Sequence, residues 1–202
     1  ILVCLVGSEM CIRDSQWQAD LLADASLNQQ QQKYVDSIVE DIDEMESMVE
    51  ELLYYAKMER PNAEIQTSSV ALSSFTQSLL PKWQRDTQLS VLIDDSSSPM
   101  TTIEADPQLL KRALDNLLRN AMRYAQNQIV LEIVETPDKS CIRIHDDGCG
   151  VEEKDWPHLF DAFYSADKSR NKSTSGFGLG LAIVKQIVEL QKGEVSISHS
   201  PY

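Results

Sequence analysis

Leu114-Asp115-Asn116-Leu117-Leu118-Arg119-Asn120-Ala121, Asp146-Asp147-Gly148-Cys149-Gly150-Val151 and Gly176-Phe177-Gly178-Leu179-Gly180-Leu181-Ala182-Ile183-Val184 follow one another in this order. Together they describe a nucleotide pocket. An Asn on a helix can reach a metal ion. An Asp at a strand end can accept a hydrogen bond from a base. A Gly-rich segment then opens a second helix, whose first N–H groups can meet a phosphate. One glycine pair alone would mark only a turn; three matched segments in order define a site.

The chain around them is ordinary in composition. Its 202 residues are 42% hydrophobic and 25% charged, enough for one or two domains with a real core. The net charge of −14 argues against non-specific nucleic-acid binding. No apolar run reaches the roughly 18 residues that a membrane span needs. Leu5 to Asp14 matches the translation of a sequencing-library transposon adapter, and the adapter's last, incomplete codon allows Ser15. Residues 1–15 are therefore expected to be an artefact and are set aside for fold reasoning. Cys141 and Cys149 then remain, without a CxxC pair or a nearby His at ligand spacing. Neither zinc nor a disulfide framework is expected, in keeping with a reducing cytosol.

Residues 16–60 contain no Gly or Pro. Val35, Ile38, Ile42, Met45, Val49, Leu52 and Ala56 recur at alternating steps of three and four, the seam of a supercoiled bundle. A helix from Lys33 to Glu59 would be roughly 40 Å long at 1.5 Å per residue. It cannot bury its seam alone, so a partner helix is implied. Gln16 to Leu27 reads as the end of a preceding helix. Between Tyr34 and Ala56 stand eight acidic residues and no basic one, a solvated face or a docking face for a basic partner. Pro61 ends this region, with a hinge at Asn62-Ala63.

From there the pattern predicts a helix over 72–85, strands over 89–93 and 102–105, and a helix to Tyr124 with Asp106 as N-cap and Pro107 at its first position. Strands over 129–134 and 141–146 follow, then a short helix within 155–163. A polar, basic lid over 165–175, a helix over 179–191 capped by Gly193 and a strand starting over 194–198 complete the chain. The fold class is α+β: a helical bundle segment, then an α/β sandwich whose mixed sheet carries helices on one face.

In the pocket, Asn116 and Asn120 share a helix face. An amide oxygen can ligate Mg²⁺ without adding charge, and Mg²⁺ needs few protein oxygens when phosphates supply the rest. Asn120 takes that role. Arg123 can reach a phosphate, and Tyr124 offers its ring to the base. Asp146 lies on the same strand face as Ile142 and Ile144 and should point inward, toward the adenine amino group. Gly148 and Gly150 let the backbone approach the base. Gly176, Gly178 and Gly180 let the lid fold over the phosphates, and the helix starting near Leu179 directs its positive end at them. Lys168, Arg170 and Lys172 can screen phosphate charge. His145 alternates outward, and His145, His158 and His199 all read as surface residues.

These segments resemble the sensor histidine kinases of two-component systems, within the superfamily that includes gyrase and mismatch-repair ATPases. Asn116-Asn120-Ala121-Tyr124 is similar to the N box, and Asp146-x-Gly148-x-Gly150 to the first glycine box. Phe160 with Phe163 is similar to the F box, and Gly176-x-Gly178-Leu179-Gly180-Leu181 to the second glycine box. Glu50-Glu51-Leu52-Leu53-Tyr54-Tyr55-Ala56 and Arg112-Ala113-Leu114-Asp115-Asn116 resemble the RstB-like branch. The resemblance implies ATP and Mg²⁺ as cofactors and a dimerisation and histidine-phosphotransfer bundle over 16–60. It implies an ATP-binding catalytic domain over 61–202, cut before its final hairpin strand. It further implies a homodimer through the bundle helices, a response regulator receiver domain as partner, and a cytoplasmic location. Membrane attachment would come only through parts absent from this chain.

Hydrolytic members of the superfamily carry a Glu one turn before the metal-binding Asn. Here Asn116 occupies that place and cannot act as a carboxylate base. The family's acceptor His stands in a segment like His-Glu-Leu-Arg-Thr-Pro, which this chain lacks, and Ser175 stands where Gly is common. The chain alone is therefore expected not to autophosphorylate. The competing reading is a non-enzymatic, nucleotide-regulated dimerisation module.

Overall fold

The structure, a computed structural model, describes residues 12, 13, 15–17, 22, 27–58, 65–85, 87–95, 101–137, 139–166 and 177–200. They fall into two compact units, residues 1–61 and 62–202.

The first unit is dominated by α1 (Gln29–Met58). It starts four residues earlier than the apolar period predicts, because Asn28 caps it. The Asn28 Oδ1 accepts from the N–H groups of Gln30 (3.0 Å) and Gln31 (2.9 Å), and the Gln31 side chain accepts from the Asn28 N–H. This reciprocal box satisfies donors that the first turn leaves open. The seam divides in two. Val35 and Ile42 are buried, whereas Ile38 and Met45 are 48% and 54% exposed. The described residues before Leu27 are helical. Ile12, inside the adapter-like segment, packs against Ile42.

The second unit begins with β1 (Ser68–Ala71), which the sequence pattern did not reveal, and runs directly into α2 (Leu72–Arg85). β2 (Ser90–Asp94) and β3 (Thr102–Ala105) follow, then α3 (Pro107–Tyr124), β4 (Gln128–Glu135) and β5 (Ser140–Asp146). A 3₁₀ helix (Glu153–His158) replaces the short helix expected over 155–163, and α4 spans Gly180–Leu190. β1 pairs antiparallel with β3 as a two-stranded sheet. β2, β4 and β5 form a mixed sheet in that order, β2–β4 parallel and β4–β5 antiparallel.

One face of the mixed sheet carries the core. Ile129, Leu131 and Ile133 of β4 are fully buried against Leu114, Leu118 and Ala121 of α3 and Leu72 and Trp83 of α2. Ile129 pairs with Asp146, Leu131 with Ile144 and Ile133 with Ile142, so Asp146 shares the helix-covered face. α3 is anchored at its start by Asp106. This carboxylate accepts from the N–H groups of Gln108, Leu109 and Gln66, while the Asp106 N–H donates to the Gln191 side chain at the end of α4. Burial disfavours the Asp106 anion, but those three donors outweigh it and hold its pKa below the ordinary carboxylate value.

Two expectations are corrected. Residues 194–198 form no strand. Instead, the chain just beyond it reaches the sheet's other face, where the Ser200 hydroxyl lies 3.4 Å from His145 Nδ1. His145 is consequently buried rather than exposed, with Glu132 Oε2 3.2 Å from its Nε2. Alternation placed its side chain on the correct face, but the later chain covers that face. His158 and His199 are exposed as expected.

Candidate nucleotide-binding site

α3 presents Asn116, Asn120 and Tyr124 at steps of four, one face of a helix. Asn116 is buried, Asn120 exposed and Tyr124 half-buried. The Asn116 amide faces the start of α4: a Cβ placed on Gly180 would lie 3.8 Å from Asn116 Oδ1. The amide oxygen and the open N–H groups of the first α4 turn therefore border one space. The Arg123 guanidinium lies 5.5 Å from the Tyr124 ring centroid, within cation–π range.

The first glycine segment meets the end of α3. The Asp146 Oδ1 accepts from the Gly148 N–H at 3.0 Å. A Cβ on Gly148 would stand 2.5 Å from the Tyr124 carbonyl oxygen and 2.7 Å from Asp146 Oδ1, so only glycine allows this approach. Gly150 has φ +68°. The aromatic segment meets the second glycine segment in the same manner. The Phe163 N–H donates to the Gly178 carbonyl at 2.9 Å, and both residues have positive φ, 66° and 70°. Phe160 is half-buried and Phe163 largely exposed. Leu179 is fully buried, while Gly180 and Leu181 open α4. Lys168, Arg170, Lys172, Ser175 and Gly176 lie outside the described residues. No group of three or more His, Cys, Asp or Glu side chains is placed to hold a metal among the described residues. Asn116 and Asn120 carry neutral amide oxygens, hard donors that a divalent cation would accept beside other oxygens.

Two residues that the sequence reading left without a role tie these pieces together. Asp115 accepts from Trp83 Nε1 (2.7 Å) and pairs with Lys111 (2.7 Å) and Lys82 (3.2 Å), fastening α2 to α3. Asp147 accepts from the backbone N–H groups of Gln126 (2.8 Å), Asn127 (3.0 Å) and Gln128 (3.3 Å), and from Asn127 Nδ2 (3.0 Å). The available signal was only general: the short link from α3 to β4 carries backbone N–H groups outside any ladder, and such groups need an acceptor. The Asn127 N–H foremost, with the other donors, holds the Asp147 carboxyl far below its ordinary pKa.

A helical unit followed in sequence by an α/β sandwich is the architecture of an ATPase-type domain preceded by a helical segment. Residues 105–202 match the family described as histidine kinase-, DNA gyrase B- and HSP90-like ATPase, which implies ATP binding. Residues 16–61 match the His Kinase A (phospho-acceptor) domain. Sensor protein RstB of Escherichia coli (strain K12) is 33% identical over 165 residues, covering 79% of this chain and 37% of that protein. Sensor histidine kinase YkoH of Bacillus subtilis (strain 168) is 29% identical over 167 residues, covering 83% and 36%. Among solved structures, full-length ShkA in complex with AMPPNP shares the fold with a TM-score of 0.80 at 23% identity, covering 98% of this chain and 42% of that one. Acinetobacter baumannii histidine kinase AdeS does so with 0.61 at 19%, covering 91% and 85%. The chain belongs to the two-component sensor histidine kinases, and its domains are those of protein histidine kinases. It spans little more than a third of the length of RstB and YkoH.

The lowered Asp147 pKa predicts a pH dependence. A carboxylate whose pKa falls on folding stabilises the fold above its unfolded pKa, and that contribution is lost as pH drops toward the folded value. Asp147→Asn should lower the melting temperature at pH 7, and the difference should shrink below about pH 4. Thermal unfolding followed by circular dichroism checks this; an undiminished difference at pH 3 would contradict it.

Proposed function

We propose that this chain is the ATP-binding and bundle part of a sensor kinase that passes the γ-phosphate of ATP to a protein histidine, for onward signalling to a response regulator receiver domain. The observation that carries the reading is Asn116. It is buried beside the start of α4, at the place where a hydrolytic relative needs a carboxylate base. Phosphoryl transfer rests on positioning and charge stabilisation, so a pocket without its own base suits transfer to a presented nucleophile. In this reading residues 61–202 form the ATP-binding domain and residues 16–60 the bundle region. Residues 1–15 are the adapter-derived segment, and both family matches begin after them.

Each pocket residue has a role. Asp146 accepts from the adenine amino group, and Tyr124 flanks the base. Gly148 and Gly150 admit the base to the backbone, and Phe160 and Phe163 support the second glycine segment. Asn120 holds Mg²⁺, with Asn116 beside it. Arg123, Lys168 and Arg170 meet phosphate charge. Gly176, Gly178 and Gly180, with Leu179 and Leu181, bring the α4 N-terminus to the phosphates. Mg²⁺, when bound, neutralises developing charge on the transferred group. No helix among the described residues is long and apolar enough to cross a membrane. The parent protein is a membrane sensor whose cytoplasmic portion contains this chain.

The binding reading is tested by calorimetry with Mg-ADP. Asp146→Asn offers the adenine amino group a competing donor. It should weaken binding about five- to 150-fold, the equivalent of roughly 1–3 kcal/mol. Unchanged affinity would remove Asp146 from the site.

The exposed half of the α1 seam supports a homodimer, since Ile38 and Met45 continue the period of buried Val35 and Ile42. Ile38→Asp with Met45→Asp should leave a monomer in light scattering. A double variant as associated as the parent would refute that interface.

A further inference from the structure

Asp147 joins the turn after α3 to the loop after β5, two segments that the chain itself links through the β4–β5 hairpin. Its four donors belong to Gln126, Asn127 and Gln128, which follow within four residues of Tyr124. On its other side, Gly148 touches both the Tyr124 carbonyl and the Asp146 carboxylate. The end of α3, the Asp146 carboxylate and the loop after β5 thus form one knot, and Asp147 supplies the charged group that closes it.

We propose that Asp147 is a positioning residue that sets the pocket's selectivity for adenine over guanine by fixing the Asp146 carboxylate against the Tyr124 end of α3. The proposal rests on the reading of Asp146 as the acceptor for the adenine amino group. Guanine carries a carbonyl oxygen at the corresponding ring position, which would face that carboxylate as a second acceptor. Discrimination by an unsatisfied polar pair is strong only while the pair is held in place. Asn is a poor substitute at 147: one oxygen can still accept, but its amide group would face the Asn127 N–H and Nδ2, donor against donor.

The test uses the full chain and measures Mg-ADP and Mg-GDP affinities by calorimetry, below the unfolding midpoint of every variant. Asp147→Asn should weaken ADP about tenfold and GDP by less than about twofold, so that selectivity falls nearly tenfold. Adding Asn127→Asp, which exchanges the side-chain pair, should recover part of the selectivity. If Asp147→Asn does not fold, Asn127→Ala removes a single donor and should still lower selectivity by about threefold. Equal weakening of both nucleotides, or unchanged selectivity, would overturn the proposal and leave Asp147 with a structural role only. Asp146→Asn separates the two readings. If it abolishes selectivity while Asp147→Asn preserves it, the positioning role fails. If it changes neither affinity nor selectivity, the reading of Asp146 itself fails.

Discussion

Helix α3 has to be a wall of the core and a wall of the pocket at once. Leu114, Leu118 and Ala121 bury one face in the sheet, and Asn116, Asn120 and Tyr124 share another, the one proposed to line the pocket. A helix turns about 100° per residue, so any rotation that favours one face displaces the other. The fixings of α3 are correspondingly polar and directional. Asp106 holds its start to Gln66 and to the end of α4, Asp115 holds its middle to Trp83, and Asp147 holds the turn beyond its end. Three carboxylates determine where two amides and a ring stand.

The glycines complete that arrangement from the opposite side. Gly148 is needed because the backbone passes the Tyr124 carbonyl at a distance no side chain permits. Gly178 is needed for its positive φ and because a Cβ would lie 2.6 Å from the Tyr164 carbonyl oxygen. Each draws a loop against a helix end, one beside Asp146 and one at the start of α4. The space between them is bordered by neutral amides and backbone donors, a lining suited to a charged nucleotide.

Much of this was legible in the sequence because its signals are local. Asp106-Pro107 marks a helix start, and the apolar residues of β4 mark a strand facing a core. The spacing of Asn116 and Asn120 places both amides on one face. The failures were those of longer range. β1 is four residues long with a single buried position, Val70, and its identity comes from pairing with β3 rather than from any period. His145 is buried because a segment some fifty residues later crosses it. Asp147 stands within the first glycine segment, yet its partners lie about twenty residues away in the turn after α3. Sequence periodicity reports a side chain's direction; what comes to lie there is a tertiary fact.

In the proposed function, the pocket holds ATP for transfer to a separate histidine rather than for hydrolysis. No histidine lies within residues 16–61, although that region matches a phospho-acceptor domain. The direct measurement incubates the chain with Mg²⁺ and γ-labelled ATP, alone and with a separate bundle carrying an acceptor histidine. The expected result is acid-labile label on the added bundle, none on the chain itself, and slow release of phosphate when the bundle is absent. Release of phosphate to water without an acceptor, as fast as transfer with one, would contradict the account.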